Sequence, residues 1–256
     1  MKLLAGTESG QSDPFAPTHW SLILAAAQSQ TPPEIAEAAL AQLCQTYWAP
    51  LYHFVRSRGH PLHDAEDLTQ SFFGHLIEHK IYARADREKG KFRSFLLASL
   101  QNFLANAYRC EQAQKRGGGR DFLPLNDSQI EAAELLFQTH LTPLDSPNED
   151  RVFEQSWAEA LVDAALTRLS AEDAAEGKKE LFETLKVFLT ANADPLPTYD
   201  QLAEQLGIHA STLRSHVTRL RTRYRAALRA EVRRTVESDA EVDGELRELL
   251  RVLTER

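Results

Sequence analysis

The chain has 256 residues, enough for one large or two small domains with cores of their own, and its 29 Lys and Arg against 37 Asp and Glu leave a net charge of −8. Two cysteines, Cys44 and Cys110, are too few and too far apart for a disulfide scaffold and fit ordinary buried thiols in a reducing compartment. No apolar run approaches membrane-spanning length, and the start MKLLAGTESGQSD lacks the apolar stretch of a secretory leader, so a cytoplasmic protein is expected.

The charge is unevenly spread. Residues 41–120 carry twelve Lys or Arg against seven Asp or Glu, residues 121–176 carry two against thirteen, and residues 177–256 carry fourteen against thirteen. Basic blocks therefore flank an acidic one, and phosphate binding answers to the local field rather than to the total.

Apolar residues recur at spacings of three and four and β-branched runs are missing, which makes the expected fold class all-α. Residues 1–17 read as a flexible N-terminus. Residues 18–116 read as one helical domain, 117–149 as an acidic linker, 150–235 as a second helical domain, and 236–256 as an amphipathic tail. Within the first domain, residues 19–27 suggest a short helix. Residues 34–58 suggest one helix, or two divided at Pro50, burying Leu40, Leu43, Tyr47, Leu51, Phe54 and Val55. Gly59 and Pro61 mark a turn. Asp64 is expected to cap a helix running to Glu78, whose buried stripe is Leu68, Phe72, Phe73, Leu76 and Ile77. Residues 83–91 form a charged loop, and residues 92–115 a helix burying Phe92, Leu96, Leu100, Phe103 and Leu104. Pro124, Pro143 and Pro147 break the acidic linker, part of which reads as disordered. A helix starts near Asn148 and buries Val152, Phe153, Trp157, Leu161, Val162, Leu166 and Leu169. Residues 181–189 form another. The tail presents Leu246, Leu249, Leu250 and Leu253 at helical spacing.

Residues 198–235 hold the most informative pattern. Thr198 and Gln201 form a capping box. Gly207 permits a sharp turn between two helices, and the small Ala203 lets them approach. Leu202, Leu206, Ile208, Leu213, Val217, Leu220 and Tyr224 supply an apolar face. Arg214, Arg219, Arg221, Arg223, Arg225, Arg229, Arg233 and Arg234 then face only Asp200, Glu204 and Glu231 within the segment. An arginine-rich helix alone would be an ordinary solvated helix. Cap, turn and apolar pattern together describe a helix-turn-helix that lays its second helix on DNA.

Residues 64–73, DAEDLTQSFF, are similar to the region 2.2 motif of extracytoplasmic-function sigma factors of bacterial RNA polymerase. Residues 91–109, KFRSFLLASLQNFLANAYR, are similar to regions 2.3 and 2.4 of that family. Phe92, Arg93 and Ser94 match, Asn102 and Arg109 fall in register, Phe95 stands where Trp is usual, and Asn106 stands where Asp is frequent. The helix-turn-helix falls where region 4 belongs. The chain thus resembles this family over residues 40–116 and 150–235. Its start, linker and tail go beyond the minimal pattern, which suggests a subgroup without a classical membrane anti-sigma partner, regulated by a Ser/Thr kinase or an anti-sigma regulator of another kind.

The resemblance implies an alternative sigma factor, not an enzyme, that needs no cofactor or metal. Such a factor binds core RNA polymerase at the β′ coiled coil and β flap and directs transcription initiation at promoter −10 and −35 elements. Asp64, Glu66, Asp67, Gln70 and Phe73 would make the core-polymerase contact, the acids meeting a basic face and setting orientation and association rate. Lys89, Lys91, Arg93, Asn102, Asn106 and Arg109 would serve the −10 element, cations on phosphates and amides on the edge of an extruded base. A solvated charged loop is the plainer account of Lys89 and Lys91. Ser211, Thr212, Arg214, Ser215, His216, Arg219 and Arg223 would serve the −35 element, the hydroxyls on phosphates and the arginines on guanine edges. His216 stands where Arg is common, and Arg223 and Arg225 suit a phosphate or a linker helix better than a base. Many members place an acid directly after the Gln of region 2.2. Here that position is Ser71, with Thr69 nearby, so phosphorylation of either by a Ser/Thr kinase would strengthen docking; an ordinary helix hydroxyl is the bland alternative. The acidic linker would mimic nucleic acid in the polymerase's basic channel, or cover the basic modules, or serve only spacing and solubility.

Three rivals remain at this point. His75, Glu78 and His79 form the HxxEH pattern of inverted zinc peptidases, although the pattern continues a helix that already has an explanation. A helix-turn-helix regulator acting on duplex DNA alone is the closer alternative, and a polymerase-binding adaptor that does not open promoters is the third.

Overall fold

The computed structural model describes residues 32–86, 88, 90–111, 131–135, 137, 149–190, 197–236 and 238–254. The expectations for residues 1–17 and 19–27, for Lys89, and for the side chain of Arg109 lie outside the described residues. Among those described, every regular element is helical, so the chain is all-α. In order they are α1 (Pro33–Ser57), α2 (Leu62–Glu78), a 3₁₀ turn (Ile81–Arg84), α3 (Phe92–Glu111), a helical stretch over 131–135, α4 (Glu149–Ala175), α5 (Lys179–Leu185), α6 (Val187–Thr190), α7 (Tyr199–Leu206), α8 (Ala210–Thr235) and α9 (Asp239–Thr254).

Pro50 neither splits nor ends α1, which runs unbroken for 25 residues with Pro50 buried inside it. A proline there forfeits a backbone hydrogen bond at a cost of about 3 kcal/mol. The buried side chains on both sides, Leu43, Tyr47, Trp48, Leu51, Tyr52 and Phe54, outweigh it. Asp64 is not the cap of α2. Pro61 holds that position with ψ 160° and no side-chain cap, and the Ala65 N–H donates to the Pro61 carbonyl at 2.9 Å. The fixed φ of Pro61 starts the helix earlier than the acid does, and Asp64 sits within the first turn, where the helix dipole favours its charge. The single helix expected over 181–189 is divided at Lys186 into α5 and α6.

The described residues form two compact units, one holding those up to Ala160 together with Arg233–Arg256, the other Leu161–Val232. This division differs from the one suggested by composition: α4 and α8 each contribute to both units, and the tail helix α9 belongs with the first. The core of the first unit joins α1 to α3 by the edge-on Tyr47–Phe92 pair, with ring centroids 5.7 Å apart, and α2 to α3 by Phe72–Phe103 at the same spacing. Phe153 and Trp157 of α4 are fully buried, as are Leu96, Leu100 and Leu104 of α3. Cys44 is buried among these groups, and burial pushes its thiol up to about 12. The second unit buries Leu161, Leu169, Phe182, Leu185, Leu202, Leu213, Val217 and Leu220.

Part of the acidic stretch is docked rather than free. Glu134 is 7 % exposed and takes the Arg56 guanidinium in a two-pronged pair, Nε at 3.0 Å and Nη2 at 2.8 Å, while the Tyr52 hydroxyl donates to the same carboxylate. His53, beside them, is buried between α4 and this stretch. Its Nε2 lies 2.8 Å from the Ala133 carbonyl and its Nδ1 2.5 Å from the Ser156 hydroxyl. A carbonyl can only accept, so Nε2 carries the proton; in the neutral imidazole that burial favours, Ser156 donates to Nδ1.

Burial pushes the His53 pKa from 6.5 down to about 4, against the opposing pull of the Ala133 carbonyl and Glu134. Between those values the unfolded chain binds more protons than the folded one. The stability due to neutral His53 is therefore complete above about pH 6.5 and is lost as the pH falls toward 4, by at most about 3 kcal/mol. Urea midpoints measured from pH 7.5 to 4.5 should show this loss, and His53→Asn should flatten that part of the profile.

Candidate nucleic-acid interface

The helix-turn-helix lies in the second unit. Thr198 Oγ1 accepts the Gln201 N–H at 3.3 Å and Gln201 Oε1 accepts the Thr198 N–H at 2.9 Å, which completes the capping box of α7. The helix ends on Gly207 at φ 64°, a left-handed conformation that a side chain would strain. Ile208 N–H donates to the Ala203 carbonyl at 3.0 Å and Gly207 N–H to that of Glu204 at 3.1 Å, a Schellman termination that turns the chain into α8.

On α8, Leu213, Val217 and Leu220 are buried, and the same periodicity leaves Ser211, Thr212, Arg214, Ser215 and Arg219 exposed. His216 is half-buried at the edge of this face. The Arg214 guanidinium lies 5.8 Å from the ring centroid of Tyr199, which is itself stacked on Phe188 at 4.8 Å. This contact orients Arg214 without using its donors. Ser215 and Thr218 donate their hydroxyl protons to the carbonyls of Ser211 and Arg214, leaving oxygen lone pairs outward. Arg223 is turned away from this set. It is paired with Asp173 at 2.7 Å and Glu172 at 3.1 Å on α4.

In the first unit, α3 presents Ser94, Ala98, Asn102 and Asn106 along one exposed, uncharged stripe at four-residue spacing, and Arg109 follows one turn beyond Asn106 on the same helix. Amide groups so placed are free to read the edge of an unstacked base. Lys91, at the start of α3, is about half exposed, and its Nζ lies 2.6 Å from Glu245. Arg93, expected at a phosphate, is 4 % exposed and so offers no phosphate contact while α9 is packed on it. Its Nε donates to Glu154 Oε2 at 2.9 Å, its Nη1 pairs with Glu245, and its guanidinium carbon lies 3.8 Å from the Trp157 ring centroid. A charge taken out of water must be paired, and here two carboxylates and an aromatic face do so.

The acidic helix α2 separates its candidates by face. Asp64, Asp67 and Ser71 are exposed and line a shallow depression with His60, Leu104 and Tyr108, in which the Tyr108 hydroxyl lies 3.2 Å from His60 Nε2. Glu66 and Gln70 lie off that line and are half-buried, and Glu66 is 3.6 Å from His63. Phe73 is 5 % exposed and belongs to the core, not to a surface contact. Thr69 is wholly buried and its hydroxyl donates to the Ala65 carbonyl at 2.7 Å, so it is closed to a kinase. Helical geometry explains both corrections, since positions 69 and 73 follow Ala65, Phe72 and Leu76 around the buried side. His75 and His79 meet edge-on with centroids 4.5 Å apart, and His75 also packs on Phe103, as side chains on one helix face do. Among the described residues no three His, Cys, Asp or Glu side chains converge as a metal-binding group.

Comparison with protein-family models, with characterised proteins and with solved structures finds no match to this chain. The residues that sequence reasoning missed are Glu154, Trp157 and Glu245 around Arg93. They lie 61, 64 and 152 positions from it, so no local spacing could announce them.

Removing the guanidinium by Arg93→Met strands Glu154, leaves Glu245 with Lys91 alone, and should cost about 3–5 kcal/mol of unfolding free energy. Arg219→Ala, at an exposed position, should stay within about 0.5 kcal/mol. Urea unfolding of both full-length variants checks the contrast.

Proposed function

We propose that this chain is an alternative sigma factor that docks on core RNA polymerase and directs transcription initiation. One observation carries the reading: α8 buries Leu213, Val217 and Leu220 behind a capped, glycine-terminated turn and holds Arg214, Ser215 and Arg219 outward on one face. An arginine so presented can grip guanine O6 and N7 together, worth about 1–3 kcal/mol of discrimination. The Asn102–Asn106 stripe on α3 supports a second contact, with an unstacked strand. The exposed Asp64 and Asp67 support a third, with a basic protein surface, and distinguish this reading from a duplex-binding regulator acting alone. Ser71 stands in the same depression as these two acids, so a phosphate there would add about −1.5 to −2 charge to one negative field. A Ser/Thr kinase is accordingly proposed as a regulator acting at Ser71 alone.

The test is competition with a housekeeping sigma factor for bacterial core RNA polymerase. The chain should displace it, Asp67→Arg should weaken displacement at least tenfold through charge reversal at a basic surface, and Ser71→Glu should strengthen it. Failure of the wild-type chain and of Ser71→Glu to compete would leave an autonomous DNA-binding regulator. With a polymerase-bound chain, Arg219→Ala should weaken promoter binding by about 5- to 150-fold while leaving competition for polymerase unchanged.

A further inference from the structure

We propose that the C-terminal helix α9 is a built-in cover for an anion-binding site at the start of α3, with the Glu245 carboxylate occupying the place of a nucleic-acid phosphate. The proposal rests on the reading of α3 as a DNA-binding helix and adds a means of regulating it.

Lys91 and Arg93 flank the first residue of α3, where the helix dipole already favours negative charge. Glu245 bridges the two cations, Oε2 to Lys91 at 2.6 Å and Oε1 to Arg93 Nη1. It is 3 % exposed and lies in the buried stripe of α9 with Val242, Leu249 and Val252, at a position where packing alone would call for an aliphatic side chain. The carboxylate there is explained by what it faces. Glu248 follows within one turn and is held below the usual carboxylate range first by Arg251 and then also by Lys91 and Arg93.

The arrangement suits exchange. A phosphate presents the same donors with the charge that Glu245 supplies, and its binding must also offset the exposure of Val242, Leu249 and Val252, which α9 buries. Were α9 to leave, Glu154 would remain on Arg93, but Arg93 Nη1 and the Lys91 ammonium would lose their carboxylate. Residues 236–238 alone separate α8 from α9, and the Arg233–Asp239 pair spans that joint, so α9 can lift from α3 and remain tethered beside it.

The experiment uses the full chain and a fluorescent single-stranded oligonucleotide, titrated across salt concentration. Glu245→Gln should bind about tenfold more tightly than wild type, and the slope of log K against log salt should steepen by about 0.7–1.4, one or two phosphate contacts. Lys91→Gln should remove the gain in the Glu245→Gln background. A Glu245→Gln protein of wild-type helix content with unchanged affinity and slope overturns the proposal. A second measurement needs no variant. Saturating oligonucleotide should speed amide hydrogen exchange in residues 239–254 of the wild-type chain, and unchanged or slower exchange there overturns the proposal as well. Polymerase competition separates the two readings. If the DNA and exchange responses appear in a chain that does not compete for core polymerase, the cover stands and the sigma reading falls. If the chain competes but neither response appears, the cover alone falls.

Discussion

The buried guanidinium of Arg93 is the constraint around which the first unit is arranged. Arginine keeps its charge at any pH a folded protein tolerates, so burying it obliges the fold to bring opposite charge to it. Glu154 comes from α4 and Glu245 from α9, and the face of Trp157 covers the remaining side. Three helices far apart in the chain are thereby held in one register. The fully buried Trp157 and Phe153 show that the same junction is also an apolar one, so the ionic contacts specify an arrangement that hydrophobic burial stabilises.

The same logic recurs at Arg56, where Glu134 of the acidic stretch forms a two-pronged pair beneath Tyr52, and at Arg223, where Glu172 and Asp173 do so within the second unit. This changes the meaning of the net charge. Acids in the middle of the chain are used in part to hold individual arginines inward, while Arg214, Arg219, Arg221, Arg225 and Arg229 of α8 are exposed. An acidic protein can therefore carry a locally basic surface, because the field that a phosphate meets is set by the unpaired cations nearest to it.

The parts of the fold that were legible in the sequence are those whose physics is local. The all-helical class follows from apolar spacing, the Thr198–Gln201 box from hydroxyl and amide groups three residues apart, and the turn at Gly207 from the one residue type that takes φ 64° without strain. The outward set on α8 and the Asn102–Asn106 stripe on α3 follow from helical periodicity once the buried leucines are recognised. Periodicity also accounts for the errors on α2. Thr69 and Phe73 were grouped with Asp64 and Asp67 by nearness in sequence and by resemblance, but a turn of 100° per residue carries them to the opposite, buried face. Asp64 failed as a cap because Pro61, with its φ already set, opens the helix first.

What the sequence determined by itself, then, is the helical class, the helix-turn-helix with its cap and turn, and the apolar face of α8, because each depends on residues within about one or two turns of one another; on α9 the buried stripe is Val242, Glu245, Leu249 and Val252, and the expected Leu250 is exposed. What only the tertiary structure decided is which charges are available. Arg93, Arg223 and Arg219 are indistinguishable as residues in a basic segment, yet the first is enclosed, the second is tied to α4, and the third is open to solvent. The difference lies in carboxylates up to 152 positions away, and their approach is governed by how the apolar faces pack rather than by any spacing along the chain.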